Sequence, residues 1–138
     1  MSDKSISPTA TDNTGLMMKI SSSSVAETVE RLVTLVESKG MKVFAMVDHS
    51  GEAAQVGMTL RETRVVIFGS PHAGTPVMQA VPLAALDLPL RVLIWDDGGR
   101  TTVTYTAPAT LAARYGIPPE LAANLAGIDA LTDALVKG

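Results

Sequence analysis

The chain reads as an α+β domain: one twisted, antiparallel-rich sheet covered by helices on one face, with elements running strand, helix, four strands, helix. Three observations predict this. Short runs rich in β-branched and aromatic residues recur between turn residues, as strands of a half-buried sheet require. Two segments instead carry apolar residues at helical spacing. The glycines between the last two runs suit a tight hairpin, which joins only antiparallel neighbours.

Residues 1–14 (MSDKSISPTATDNT) are polar and read as a disordered lead-in, and residues 15–138 as one domain. Leu16 to Ile20 is the first strand. Ser24 and Glu27 have the spacing of a capping box, and behind them Val25, Val29, Leu32, Val33 and Val36 mark one helical face that Gly40 ends. Lys42 to Asp48 is the second strand, and Ser50 is expected to cap a short helix reaching Gly57. Arg64 to Gly69 is a third strand. A helix is expected to start at Thr75-Pro76 and run to about Val81, because proline is tolerated at the first helical position. Arg91 to Asp96 and Thr101 to Thr106 form the hairpin about Asp97-Gly98-Gly99-Arg100. Pro108 to Tyr115 is a short helix closed by Gly116. Pro118-Pro119 opens the last helix, with Leu121, Leu125, Ile128, Leu131 and Leu135 on one side and Gly127 inside it at a close packing contact.

Two long helices can cover one face of a five-stranded sheet, so the other face is left for a ligand or for a second copy. At 138 residues the chain can bury about two-thirds of its unfolded surface. Its mean hydropathy is +0.26, which points to apolar surface beyond what one core hides and so to an oligomer. The net charge of −3, scattered basic residues and five aromatics argue against nucleic acid as a partner. No apolar run approaches the ~18 residues of a membrane span, and the N-terminus lacks a secretory signal, so a cytoplasmic protein without a membrane partner is expected. There is no cysteine, which removes disulfides, thiolate metal sites and thiol nucleophiles.

Several stretches resemble a known bacterial and archaeal family, domain-of-unknown-function family 302. They are Phe44-Ala45-Met46-Val47-Asp48-His49, Ile67-Phe68-Gly69-Ser70-Pro71, Ala73-Gly74-Thr75-Pro76-Val77-Met78 and Leu88-Pro89-Leu90-Arg91-Val92-Leu93-Ile94-Trp95, followed by Tyr105, Pro108, Leu111 and Arg114. Ser70 and His72 stand where the family's F-G-N-P-K-A-G-T-P pattern carries Asn and Lys. The resemblance implies a fold similar to the TATA-binding-protein-like class, and a homodimer.

The residues offer a few candidates for chemistry. Asp48 and His49 end a strand, where neighbouring side chains point to opposite faces, so they are poorly set to relay a proton to each other. His49 is either an acid or base in a cleft or a partly packed residue beside a turn-capping Asp48. Gly69-Ser70-Pro71-His72-Ala73-Gly74-Thr75-Pro76 joins a strand to a helix start, where free amides and the helix dipole favour an anion. Gly74 would allow close approach, Ser70 and Thr75 would add hydroxyls, and a protonated His72 would help; otherwise the segment is a tight connection with Thr75 as the cap. Arg91, paired with Asp87 or Asp96, is either a fork for a carboxylate or phosphate or a charge guarding a sheet edge. His49 and His72 with Asp48, Asp96 or Asp97 lack metal-ligand spacing, and no metal or cofactor is expected. The seven methionines read as core filler.

The expected function is a homodimeric small-ligand module, with an anion as the candidate ligand and His49, Gly69, Ser70, His72, Gly74, Thr75 and Arg91 as its contacts. The alternatives are an enzyme using His49 or His72 as general acid or base, and a non-catalytic protein-interaction dimer.

Overall fold

The computed structural model describes residues 9–11 and 14–138. The expected lead-in over residues 1–14 lies outside the described residues except for Thr14 and for β1 (Thr9–Thr11), which pairs antiparallel with β2 (Leu16–Ser21). The rest of the chain follows as α1 (Val25–Ser38), β3 (Lys42–Asp48), α2 (His49–Gln55), β4 (Thr63–Gly69) and α3 (Pro71–Ala80). A 3-10 helix, Pro82–Asp87, leads to β5 (Leu90–Asp97), β6 (Arg100–Thr106), α4 (Pro108–Tyr115) and α5 (Pro119–Ala122). A 3-10 turn, Ala123–Leu125, then precedes α6 (Gly127–Lys137). The fold is α+β: the sheet order is β1-β2-β6-β5-β4-β3, with every pairing antiparallel.

The local chemistry behind these elements is plain at several points. The Ser24 hydroxyl accepts from the Glu27 amide at 3.1 Å while Glu27 Oε1 accepts from the Ser24 amide at 3.2 Å, so the capping box forms in full. Gly98 and Gly99 have φ of 61° and 97°, which gives the two left-handed residues that match the twist of a two-residue hairpin. Gly116, with φ 64°, closes α4.

Three expectations are corrected. Asp48, not Ser50, caps α2: its carboxylate accepts from the Gly51 amide at 2.9 Å, and the Ser50 hydroxyl donates to the same oxygen at 2.7 Å. A carboxylate at a strand end satisfies both donors, so the cap and the helix start fall two residues earlier. Next, α3 begins at Pro71 rather than Pro76, because Pro71 already suits the first helical position and Pro76 is carried inside. The supposed loop from Gly69 to Pro76 is therefore mostly helix. Finally, the last helix is broken, and Gly127 opens α6 without a close contact, since a Cβ there would meet nothing within 4 Å.

The break in that last segment separates two cores. Ile128, Leu131 and Leu135 of α6 join Val25, Val29, Leu32 and Val36 of α1 on the sheet residues Val66, Phe68, Val92, Ile94, Val103 and Tyr105. Leu125, one turn earlier, instead packs with Val77, Ala84, Leu111 and Ile117 in a second cluster built from α3, the 3-10 helix and α4. A straight helix could not serve both. Neither cluster draws on the opposite sheet face, where alternation puts Ile20, Val65, Ile67, Leu93 and Trp95, all half-buried.

Candidate functional site

A cavity of about 620 Å³ lies at the seam between the two clusters, its wall shared by Phe68, Ile128 and Leu131 of the first and Leu125 of the second. The volume falls within the ~300–1,000 Å³ typical of small-ligand sites. The floor comes from the end of β4 and the start of β5, with Leu88 and Leu90, and the flank from α3 with Met78. At the β3 edge the pairing register shifts between Val43 and Ala45. Such a bulge re-aims the extra residue, Phe44, and its side chain joins the wall.

Four of the seven expected contacts line this cavity: Gly69 at the end of β4, Ser70 as the cap residue of α3, and Gly74 and Thr75 within that helix. The other three do not. His49 is exposed at the first position of α2, and His72 is exposed at the second position of α3. Pairing of Asp48 with Arg64 and of Lys42 with Gly69 sets the two histidines at opposite ends of the β3–β4 ladder. Five residues of strand, roughly 17 Å, lie between those ends. Arg91 is exposed and follows Leu90 in the strand, so its side chain is out of phase with the cavity wall; it borders a separate hollow of about 40 Å³ with Asp87 and Thr106. Asp87 itself is taken by Arg114 at 2.7 Å and by the Tyr115 hydroxyl, not by an ion pair with Arg91. Donation from Tyr115, then Arg114, holds the Asp87 carboxyl below its usual range. Among the described residues, no three His, Asp or Glu side chains converge as metal ligands.

The polar groups of the cavity are few and largely uncommitted. Among the described residues Lys39 supplies its one charge, at the C-terminal cap of α1, and makes no ion pair. No carboxylate of the described residues lines the wall. The Ser70 hydroxyl caps nothing, although Ser70 precedes the first turn of α3; its carbonyl accepts from the Ala73 and Gly74 amides. Pro71 has no amide hydrogen, which leaves His72 as the first donor of that helix. Asn124 donates to the Ala73 carbonyl at 3.1 Å and ties the α5–α6 segment to α3 across the opening.

The sequence reading missed Lys39, Phe44 and the apolar walls. They come from segments far apart in the chain, and each is an ordinary core or surface residue until the fold brings it to the seam. It also missed a buried lysine: Lys19, 1% exposed, donates to the Asp129 carbonyl at 2.9 Å and the Thr132 hydroxyl at 2.6 Å, and pairs with Asp133 at 2.8 Å. Its ammonium also lies 5.3 Å from the Tyr105 ring centre. All three donors are satisfied and Lys19 lines neither hollow described above, so this group fastens α6 to β2.

Comparison with known proteins adds kinship without an activity for this chain. Over 106 residues it is 43% identical to a protein of Brucella suis biovar 1 (strain 1330) named "Fluoride-specific ion channel FluC 1", covering 76% of this chain and 42% of that protein. A protein of Brucella melitensis biotype 1 named "Fluoride-specific ion channel FluC 2" matches equally, with 39% of its length covered. The chain thus spans about two-fifths of the length of these relatives. None of its own described helices is long and apolar enough to cross a membrane. The crystal structure of an uncharacterized conserved protein from Bacillus stearothermophilus superposes with a TM-score of 0.76 at 18% identity, over 89% of this chain and 96% of that one, which establishes a common fold. That structure is of the same family whose model matches residues 17–135 here, so the chain belongs to the family described as a domain of unknown function, DUF302.

Proposed function

We propose that the protein is a homodimeric cytoplasmic module that binds a small ligand in the cavity at the seam of its two cores. The observation that carries this reading is the cavity itself: about 620 Å³ of space, walled by apolar side chains and edged by Lys39, Ser70 and Thr75. That size, with a mostly apolar wall and a few polar groups at its edge, is what small-ligand sites have. The enzyme alternative draws no support from its histidines, which stand outside the cavity and at opposite ends of a strand ladder. The homodimer takes its support from the apolar sheet face that no core residue covers.

A thermal-shift screen of metabolites on the full chain tests ligand binding. A compound at a hundred times its Kd adds about 2.7 kcal/mol and raises the midpoint by several degrees. A hit should vanish in Ala73→Trp, which places an indole in the cavity mouth; a hit that persists in that variant sends the ligand elsewhere.

The 43% identity with parts of proteins named as fluoride-specific ion channels favours a second reading, in which the module works beside an ion channel. Fluoride itself is a poor match for the cavity, because a small, strongly hydrated anion needs several convergent donors and this wall is largely apolar. The expected result is altered fluoride efflux from liposomes carrying such a channel when the protein is added. Unchanged efflux at saturating protein rejects that reading.

A further inference from the structure

The shape and chemistry of the cavity say more about its occupant than that it is small. Its wall is apolar around most of its circumference, from Phe44 and Phe68 through Met78 to Leu90 and Leu131. Among the described residues its charge is a single one: Lys39 is exposed at the rim and has no ionic partner, and no acidic side chain lines the wall. Ser70 adds a hydroxyl that caps nothing and has no hydrogen bond among the described residues, beside the start of α3. One cation without a second is matched to a monoanion rather than to a phosphate or a dicarboxylate, which would be left with charge to spare. An apolar body with one anionic end satisfies both halves of the site: the body leaves water for the wall, and the head keeps its hydration at the rim.

Resting on the reading of the cavity as a ligand site, we propose that the occupant is a small amphipathic monocarboxylate, with its aliphatic or aromatic part in the cavity and its carboxylate at Lys39 and Ser70. Taking each non-hydrogen atom at the ~30 Å³ share of a water molecule, the space holds a ligand of roughly a dozen to twenty such atoms. That range corresponds to straight-chain carboxylates of roughly ten to eighteen carbons, and it sets a length beyond which further carbons project into water.

The test is a Kd series by calorimetry on the full chain, using straight-chain carboxylates of increasing length and the primary alcohols of equal length, all below their aggregation concentrations. Affinity is expected to rise about fourfold per methylene until the cavity is full, and then to level off. Each carboxylate is expected to bind about tenfold tighter than its alcohol. Lys39→Gln, an exposed position whose change leaves the cores intact, should abolish that preference while keeping the length dependence. A length dependence with no carboxylate preference in the unaltered protein, or with a preference that Lys39→Gln leaves in place, overturns the head-group assignment and leaves the cavity reading standing. Absence of any length dependence, with Ala73→Trp indistinguishable from the unaltered protein, overturns both.

Discussion

Lys19 shows how a charged residue is kept inside this fold. Its ammonium is almost wholly removed from water, yet its three hydrogens meet a carbonyl, a hydroxyl and a carboxylate, so the desolvation cost is largely offset. Asp133 is 55% exposed and can regain water if the lysine is lost, so no buried charge would be stranded. Lys19→Ala is therefore expected to cost about 3 kcal/mol, chiefly from the void and the orphaned carbonyl. Lys19→Met, which refills the volume, should cost only about 1 kcal/mol in urea unfolding. Equal losses in the two variants would mean that the polar contacts, not the packing, carry the effect. The neighbouring Tyr105 gives a pH signature. Burial, then its hydrogen bond to Asp129, pushes the phenol well above its ordinary value. A raised folded-state pKa means that the contribution is fully present below the ordinary phenol value of about 10 and is lost as pH climbs from there through the folded value. Tyr105→Phe should flatten the fall in stability above that pH. Thr102 is the opposite case to Lys19: it is fully buried on the other side of the sheet, and its hydroxyl finds no partner among the described residues. Thr102→Val keeps the shape and removes the unmet group, so the melting temperature is expected to hold or rise, by up to about 1 kcal/mol in stability.

At the level of elements, the readable parts of the sequence are those where a local signal has one physical meaning. The capping box of α1 is one, and Ser24→Ala is expected to cost about 1 kcal/mol, read as a shift in the urea midpoint with an unchanged slope. The Gly98-Gly99 hairpin is another, because two successive left-handed residues admit little else. What was not legible follows a different rule. Pro71 and Pro76 both look like helix starts, and α3 begins at the first and carries the second inside, with Val77 in the second core. Leu121, Leu125, Ile128, Leu131 and Leu135 share a period, and only the existence of two cores reveals that the segment bends between Leu125 and Ile128. The candidate site was legible by half for the same reason. The Gly69–Thr75 stretch announces a strand-to-helix junction, and Gly69, Ser70, Gly74 and Thr75 do line the cavity. Lys39 and Phe44 carry no such mark. Their place there depends on the end of α1 and on a register shift in an edge strand, and both are set by tertiary packing.

At the scale of the whole molecule, the main core of the described residues is built on one face of the sheet. Alternation sends Val66, Phe68, Val92 and Ile94 into the main core, and by the same rule turns Val65, Ile67, Leu93 and Trp95 outward, beside Ile20 and Val47 of the flanking strands. That outward row is uncharged across the middle of β4 and β5, while Arg91 stands at one end and Arg61 lies 5.9 Å from the Trp95 ring at the other. An apolar centre with a charged rim is the arrangement of a protein interface, and a face without central charge does not repel a second copy of itself. A standard interface takes about 800 Å² from each partner, close to a tenth of the 7773 Å² that this chain exposes. The proposed dimer would draw about that much area from this one face. Sedimentation should find twice the chain mass at micromolar concentration, with little dependence on salt, since no central ion pair is there to be screened. Leu93→Lys places a charge at the middle of the face without touching either core, and should yield folded monomers with an unchanged circular dichroism spectrum. If the unaltered protein sediments as a monomer at a hundred micromolar, the sheet face is not a self-association surface and the ligand module acts as a single chain. If it is a dimer that survives Leu93→Lys, the two copies meet elsewhere on the molecule.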